Sequence, residues 1–295
     1  MILLKCMKML HVFAILLLPY LHQAFGGAGN EWGYEGKIGP NRWHINFPHC
    51  AGFRQSPVSI RMNKAVFNSD WLLPFEMRGY DSADNINLHL ENTGYTIQVN
   101  IKGRSIYITD GSIPGTYIAE QFHFHWGRVD QRGSEHDIDG MYFPMEMHIV
   151  HYNAKYMDFN DALDKEDGLV VLAFLFEIGN HNDQLDHLIS HFSEIPYRDN
   201  VTLIESFALR EFLPKKLDTY CRYSGSLTTP PCYESVQWFI FYETIEISEE
   251  QLRAFRMDVH QNHPNETIRD ISDDFRPPQP LYQRKIYCSR KSDDN

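Results

Sequence analysis

The sequence predicts a single β-dominated α+β domain, built around a large, mostly antiparallel twisted sheet with a few peripheral helices. Three observations carry this. Short runs of alternating polar and apolar residues recur along the chain, several of them separated by Asn, Asp or Gly, as antiparallel strands are. One run, Leu169 to Phe176, is continuously apolar and β-rich, the pattern of a strand buried on both faces. Helical periodicity is confined to three short segments, and neither an internal repeat nor a low-complexity linker divides the chain.

Taken in order, the first residues stand apart. Lys5 and Lys8 form a basic region, Met9 to Leu18 is apolar, and Ala24-Phe25-Gly26 resembles a small-x-small cleavage site. Residues 1–26 therefore read as a secretory signal peptide, too short for a membrane span, and residues 27–295 as the mature domain. Trp32 to Pro57 is rich in Gly, Pro and aromatics and is expected to wrap the surface without regular structure. Strands are expected at Ile86–Leu90, Tyr95–Ile101, Ser105–Ile108, Met147–His151, Leu169–Phe176 and Val236–Tyr242. Helices are expected at Asn182–Phe192, Ile204–Phe212 and Ser248–Arg256, the last with Ser248 as its cap and acidic residues in its first turn. The polar end after Cys288 predicts neither a glycolipid anchor nor a terminal membrane helix.

Composition narrows the partners. A net charge of −12 argues against nucleic acid and anionic membranes. Beyond Cys6 in the signal segment, the chain holds Cys50, Cys221, Cys232 and Cys288, an even number suited to an oxidising compartment. Four cysteines allow three pairings, and spacing alone does not choose among them. The triplets Asn200-Val-Thr202 and Asn265-Glu-Thr267 are acceptor sequons for N-glycosylation in the same secretory and extracellular setting.

The chemistry concentrates in Gln121-Phe-His-Phe-His-Trp126. In a strand successive side chains point to opposite faces, so His123 and His125 project together, while Phe122, Phe124 and Trp126 face the other way. The run Phe143-Pro-Met-Glu-Met-His-Ile-Val-His151 offers a neighbouring strand that brings His148 alongside. Three imidazoles with an open fourth position make a catalytic rather than a structural zinc site. Neutral ligands suit that role, because thiolates or carboxylates would quench the dication. Thr228 and Glu135 are the right residue types for a relay in which a hydroxyl orients a nucleophilic oxygen and donates its own proton to a carboxylate. Alone, Glu135 reads equally as a surface carboxylate and Thr228 as a turn residue.

Together with Trp32-Gly-Tyr34, Gly39-Pro40, Gln55-Ser-Pro57, Gly133-Ser-Glu-His136, Glu146-Met-His148-Ile-Val-His151 and Tyr223-Ser-Gly-Ser-Leu-Thr-Thr-Pro-Pro231, these strings resemble the α-class carbonic anhydrases through nearly all of the mature sequence. The resemblance implies a single catalytic domain with zinc at the bottom of a conical cleft. It implies reversible hydration of carbon dioxide by water, through a metal-bound hydroxide, to bicarbonate and a proton. By position it implies His123, His125 and His148 as zinc ligands, with Thr228 and Glu135 orienting the hydroxide. Gln121 and Glu146 match acceptors for the ring N–H groups of His123 and His148. Val150, Val171, Leu227 and Trp238 match the apolar wall for carbon dioxide, and Tyr34 and Thr229 the polar side. His136 and His151 read as buried structural residues.

The same resemblance implies a Cys50–Cys232 disulfide bracing the Thr228 loop, which leaves Cys221 and Cys288 for each other. Sulfonamide and anion inhibitors are expected of the family. Non-catalytic members have generally lost a zinc histidine, and none is missing here. One position departs from the fastest members, which export the proton through a histidine partway up the cleft. This chain places Tyr95 there. Phenols titrate far above neutrality and imidazoles near it, so turnover is expected to be limited by proton transfer to buffer.

Overall fold

A computed structural model describes residues 31–67 and 72–289; the expected signal peptide lies outside the described residues. From Trp32 onward the chain forms one compact unit. Its main sheet has 12 strands among the described residues. Ten of them, in chain order, are β1 (Val66–Phe67), β2 (Ile86–Asn92), β3 (Ile97–Gly103), β4 (Tyr117–Trp126), β5 (Met145–Asn153), β6 (Leu169–Ile178), β7 (Asn200–Ile204), β8 (Tyr220–Gly225), β9 (Val236–Ile247) and β10 (Tyr287–Cys288). They lie side by side in the order β7-β2-β3-β4-β5-β6-β9-β8-β10-β1. Pairing is antiparallel except between β6 and β9 and between β10 and β1. This is the expected β-dominated architecture.

The central strands follow their composition. All eight residues Leu169–Phe176 of β6 are buried, between antiparallel β5 and parallel β9, so no polar side chain is tolerated there. In β4, Phe122, Phe124 and Trp126 enter the larger of the hydrophobic clusters. A register shift between Ala119 and Gln121 inserts Glu120 as an extra residue opposite β5. Upstream of it the odd-numbered Tyr117 and Ala119 are buried, and downstream the even-numbered aromatics are. A one-residue slip moves a whole side-chain set to the other face. The bulge therefore determines that Gln121, His123 and His125 turn away from the core.

Of the three expected helices one is shortened and one is not formed. α1 (Asp183–Ile189) starts where Asn182 caps Gln184 N, and a separate 3-10 turn, Phe192–Glu194, replaces the rest of the expected Asn182–Phe192 helix. α2 (Glu249–Met257) begins with a full capping box between Ser248 and Gln251. The expected helix Ile204–Phe212 is not formed. Asn200–Ile204 is strand β7, paired with β2, and only Leu209–Phe212 makes a 3-10 turn. The alternating, partly β-branched Val201-Thr-Leu-Ile204 favours a pleated ladder, which outweighs the weak helical spacing that follows. Tyr95, expected to begin a strand, lies in the turn before β3. The Trp32–Pro57 wrap is not wholly irregular: it holds 3-10 turns at Gly36–Ile38, Pro40–Arg42 and Pro48–Ala51 and one helical turn at Trp43–Asn46, two of the 3-10 turns opened by proline.

Disulfides join Cys50 to Cys232 and Cys221 to Cys288, closing sequence separations of 182 and 67 residues. The first ties the N-terminal wrap to the end of the Thr228 loop. The second locks β10 onto β8 at directly opposed positions.

His151 illustrates a buried polar residue serving the fold. It is fully buried, bonded to the Tyr80 hydroxyl and to backbone carbonyls. Burial lowers its pKa to about 4. Because the folded value lies below the unfolded one, the unfolded chain takes up the proton first as pH falls. The stability present above pH ~6.5 should therefore decline as pH falls towards 4, by on the order of 3 kcal/mol, and level off below. Urea midpoints at pH 7.5 and pH 5 should fall more steeply for the natural protein than for His151→Gln. Equal slopes would rule this contribution out.

Candidate metal centre

The strand register assembles the site before any loop is considered. On the face turned away from Phe122 and Phe124, His123 on β4 pairs with His148 on β5, and His125 with Glu146. In the adjacent row Gln121 pairs with Val150, Val150 with Val171 on β6, and Val171 with Trp238 on β9. A row of ligands thus runs beside an apolar row. Gly127 and Gly133 permit the loop that returns Glu135 to the site, since a Cβ at either would lie 1.4 Å from Arg132 O or 1.8 Å from Pro144 O.

The three rings converge, two of the three pairs edge-on. Their centroids lie 5.1 Å apart for His123 and His125, 5.2 Å for His123 and His148, and 4.7 Å for His125 and His148. One nitrogen of each lies within 4.8 Å of the others. The opposite nitrogen of each is committed to an acceptor: His123 Nδ1 to Gln121 Oε1 at 2.8 Å, His148 Nε2 to Glu146 Oε1 at 2.7 Å, and His125 Nδ1 to the Asp274 carbonyl at 2.7 Å. Each bond fixes a tautomer and leaves the other nitrogen's lone pair aimed inward. His125 Nε2 is buried without any hydrogen-bond partner. An orphaned buried acceptor is costly, and a metal ion is what this set of donors accommodates.

The electrostatics of the protein without metal point the same way. Burial, with the neighbouring His125 and His148, holds His123 well below the ordinary imidazole range. Burial also lowers His148, against the pull of Glu146. Both rings are thus kept neutral, as ligands must be. For His125 burial again acts downward, but Glu135 and Asp274 outweigh it and raise the pKa. Burial alone would raise Glu146, yet His136 and His148 hold it well below the usual carboxylate range.

Glu146 is the most heavily engaged of these groups. Its Oε1 accepts from both His148 and His136, and its Oε2 from the backbone N–H of Glu135 and of His136. His136 passes on through Nε2 to the Tyr223 hydroxyl, which bonds Ser56. His136, Glu146 and His148 lie close enough to hold an ion themselves. These hydrogen bonds already occupy them, so they read as support for the His123–His125–His148 set.

Glu135 is fully buried; its Oε1 accepts from Arg276 N at 2.8 Å, and its Oε2 has no hydrogen-bond partner. That free oxygen lies 3.5 Å from His125 Nε2 and 4.0 Å from His148 Nδ1. Thr228 is buried nearby in sequence to the Trp238 contact, in which the indole donates to Ser226 O at 3.0 Å. No hydrogen bond joins Thr228 to Glu135 in this structure. Leu227 and Thr229 are half-buried in the same loop, anchored by Leu227 N to Tyr233 O and by Cys232 N to Thr229 O. Tyr34 packs edge-on against Trp32 and Trp43. Its pKa is raised, chiefly by burial and then by Glu135 and Asp274, so its hydroxyl feels the same charges as the site.

Tyr95 is held differently from a mobile proton carrier. Its ring stacks on Trp32 at 4.1 Å and 8°, its hydroxyl donates to Trp32 O at 3.3 Å, and the Arg198 guanidinium lies 4.9 Å above it. Sequence reasoning missed Asp274, which orients His125, and Arg276, a buried arginine bonded to Gln55, Ser56 and Cys50. Nothing in the spacing of Asp273-Asp-Phe-Arg276 marks either residue, because their partners lie more than 140 positions away.

Three imidazoles, each oriented from behind by its own acceptor, form a candidate metal centre. Residues 38–290 match the family model for eukaryotic-type carbonic anhydrase. The chain is 35% identical to human carbonic anhydrase 12 over 96% of its length and 80% of that protein's. It is 36% identical to bovine carbonic anhydrase 6, covering 92% of this chain and 84% of that one, and 37% identical to mouse carbonic anhydrase 7, covering 88% and 97%. The chain belongs to the eukaryotic-type carbonic anhydrases, zinc lyases that hydrate carbon dioxide reversibly.

Proposed function

We propose that this is a secreted carbonic anhydrase in which His123, His125 and His148 hold zinc, and in which export of the proton limits turnover. The observation that carries the reading is the inward-facing nitrogen triangle, each member oriented by its own acceptor. A zinc ion held there would act as a Lewis acid and bring the pKa of a coordinated water towards neutrality, the effect for which carbonic anhydrase is itself the reference case.

The chain's own groups supply the rest. In this reading Thr228, by donating its own proton to Glu135 Oε2, would accept a hydrogen bond from the attacking oxygen and turn a lone pair towards the substrate. Support comes from Glu135 Oε2, a buried acceptor still lacking a donor, while Arg276 N pins the other oxygen. Val150, Val171, Leu227 and Trp238 offer carbon dioxide a surface with no competing hydrogen bonds, and Thr229 and Tyr34 face the bicarbonate side. Sulfonamides and small anions are expected to compete for the same open position. Secretion is supported by the two disulfides, which persist in oxidising compartments, and by the sequons at Asn200 and Asn265.

Tyr95 stands where the proton must leave. Its hydroxyl donates to the Trp32 carbonyl. Tyr95→His is expected to raise turnover in dilute buffer on the order of 10-fold or more, and to change it little in concentrated imidazole. No gain, with the imidazole confirmed in place, would mean that another route already carries the proton. The reading as a whole is tested by stopped-flow carbon dioxide hydration on purified protein with measured zinc content. Zinc-dependent activity that rises with imidazole supports it. A folded, zinc-loaded, inactive protein overturns it.

A further inference from the structure

The ten-strand row ends at β7 on one side and at β1 on the other, and these two edges are finished differently. β1 is two residues long, which is itself a protection against pairing with a foreign strand. β7 is five residues long and pairs without a bulge to β2, from Asn200 opposite Asn92 to Ile204 opposite Leu88. No strand among the described residues lies on its far side. Such an edge presents unpaired backbone N–H and C=O groups to any second chain.

Within its own span β7 carries none of the usual deterrents, although the Glu194 carboxylate nearby accepts from the Thr202 hydroxyl. Asn200-Val-Thr-Leu-Ile204 contains no charge and no proline, and Val201 and Leu203 are 52% and 60% exposed. Uncharged, β-prone and apolar, it has the composition that favours edge-to-edge association. Its one distinctive feature is that it opens with the acceptor of the sequon Asn200-Val-Thr202. Asn200 is half-exposed and accepts from Tyr197 N through Oδ1 at 3.0 Å, while its Nδ2 donates to no group among the described residues. A sugar on that nitrogen would displace no hydrogen bond of the fold. Asn265, the other acceptor, lies in an exposed turn and belongs to no strand.

We propose that an N-linked glycan on Asn200 guards the β7 edge, blocking its pairing with β7 of a second copy of this chain. The inference rests on the secretory reading. The covalent step joins Asn200 Nδ2 to the anomeric carbon of a lipid-pyrophosphate-linked oligosaccharide; the amide loses one proton and the lipid pyrophosphate leaves. A hydrated, branched oligosaccharide at the first residue of a five-residue strand leaves no room for an incoming backbone at about 4.8 Å.

The test uses protein secreted from a eukaryotic host. Site occupancy is read by peptide mass spectrometry, and mass in solution by light scattering across a concentration series. Glycan is expected at Asn200. Asn200→Gln, or folded protein trimmed with an endoglycosidase, should show an apparent mass rising about twofold or more with concentration relative to the glycosylated form. Activity per zinc should not change. Asn265→Gln should not associate, and adding Val201→Lys with Leu203→Lys to Asn200→Gln should restore the lower mass. Glycan at Asn265 with none at Asn200 overturns this proposal alone, as does trimmed protein that stays at its original mass. Absence of sugar at both sites of the secreted protein also overturns this proposal alone, whereas failure of the full chain to leave the host cell overturns it together with the secretory reading.

Discussion

His123→Ala should lose zinc and carbon dioxide hydration together, while the protein stays folded. His123 is the least buried of the three candidate ligands and stands on a strand whose other face, with Phe122 and Phe124, carries the packing. Truncating it removes a donor without opening the core. Weakening only an outer partner of a metal ligand typically costs about 10–100-fold in metal affinity or activity, and loss of a ligand should exceed that range. Glu146→Gln is the internal comparison. It keeps the shape but turns one acceptor into a donor, towards His136 and His148 or towards the two N–H groups that Oε2 now accepts from. Metal analysis on the same samples used for stopped-flow decides the matter. His123→Ala retaining full zinc and natural activity would move the metal site elsewhere.

Thr228→Ala should keep its zinc and lose on the order of 100-fold or more in kcat/KM, the range of a positioned proton-transfer group. Thr228→Ser, which retains the hydroxyl, should recover most of it. The reason lies in Glu135. Its Oε1 is fixed by Arg276 N, and its Oε2 is buried with no donor. A hydroxyl donating to Oε2 must use its remaining lone pairs to accept, and so dictates which way the attacking oxygen presents its proton. Glu135→Gln should therefore resemble Thr228→Ala in kcat/KM, because an amide nitrogen at that position would contest the hydroxyl's direction. Full zinc and unchanged kcat/KM in Thr228→Ala would remove the relay, and the orphaned oxygen would then need another account.

The histidine pair was readable because alternation along a strand puts His123 and His125 on one face, and the apolar strand because Leu169–Phe176 is an unbroken β-rich apolar run. The same reasoning failed at Ile204–Phe212. There a weak helical spacing competed with a pleated alternation just upstream, and pairing of β7 with β2 decided the outcome. It also placed Tyr95 in a strand, whereas the hydrogen bonds of Thr93 with Tyr95 N, Thr96 N and Thr96 O make that stretch a turn. Asp274 and Arg276 carried no local signal at all. Their roles come from a late segment laid behind residues far earlier in the chain.

By itself, then, the sequence determined the fold class and pointed to the candidate ligand set, since residue type and strand period are local properties. Only the tertiary structure decided which nitrogen of each ring faces inward, because that follows from Gln121, Glu146 and the Asp274 carbonyl standing behind the rings. It also decided which face of β4 carries the histidines relative to the strand's first half, through one extra residue at Glu120. For His125 the partner carbonyl lies 149 positions away and no short window of sequence holds both; Gln121 and Glu146 stand two residues from His123 and His148, but which ring nitrogen each takes is set by the folded strands.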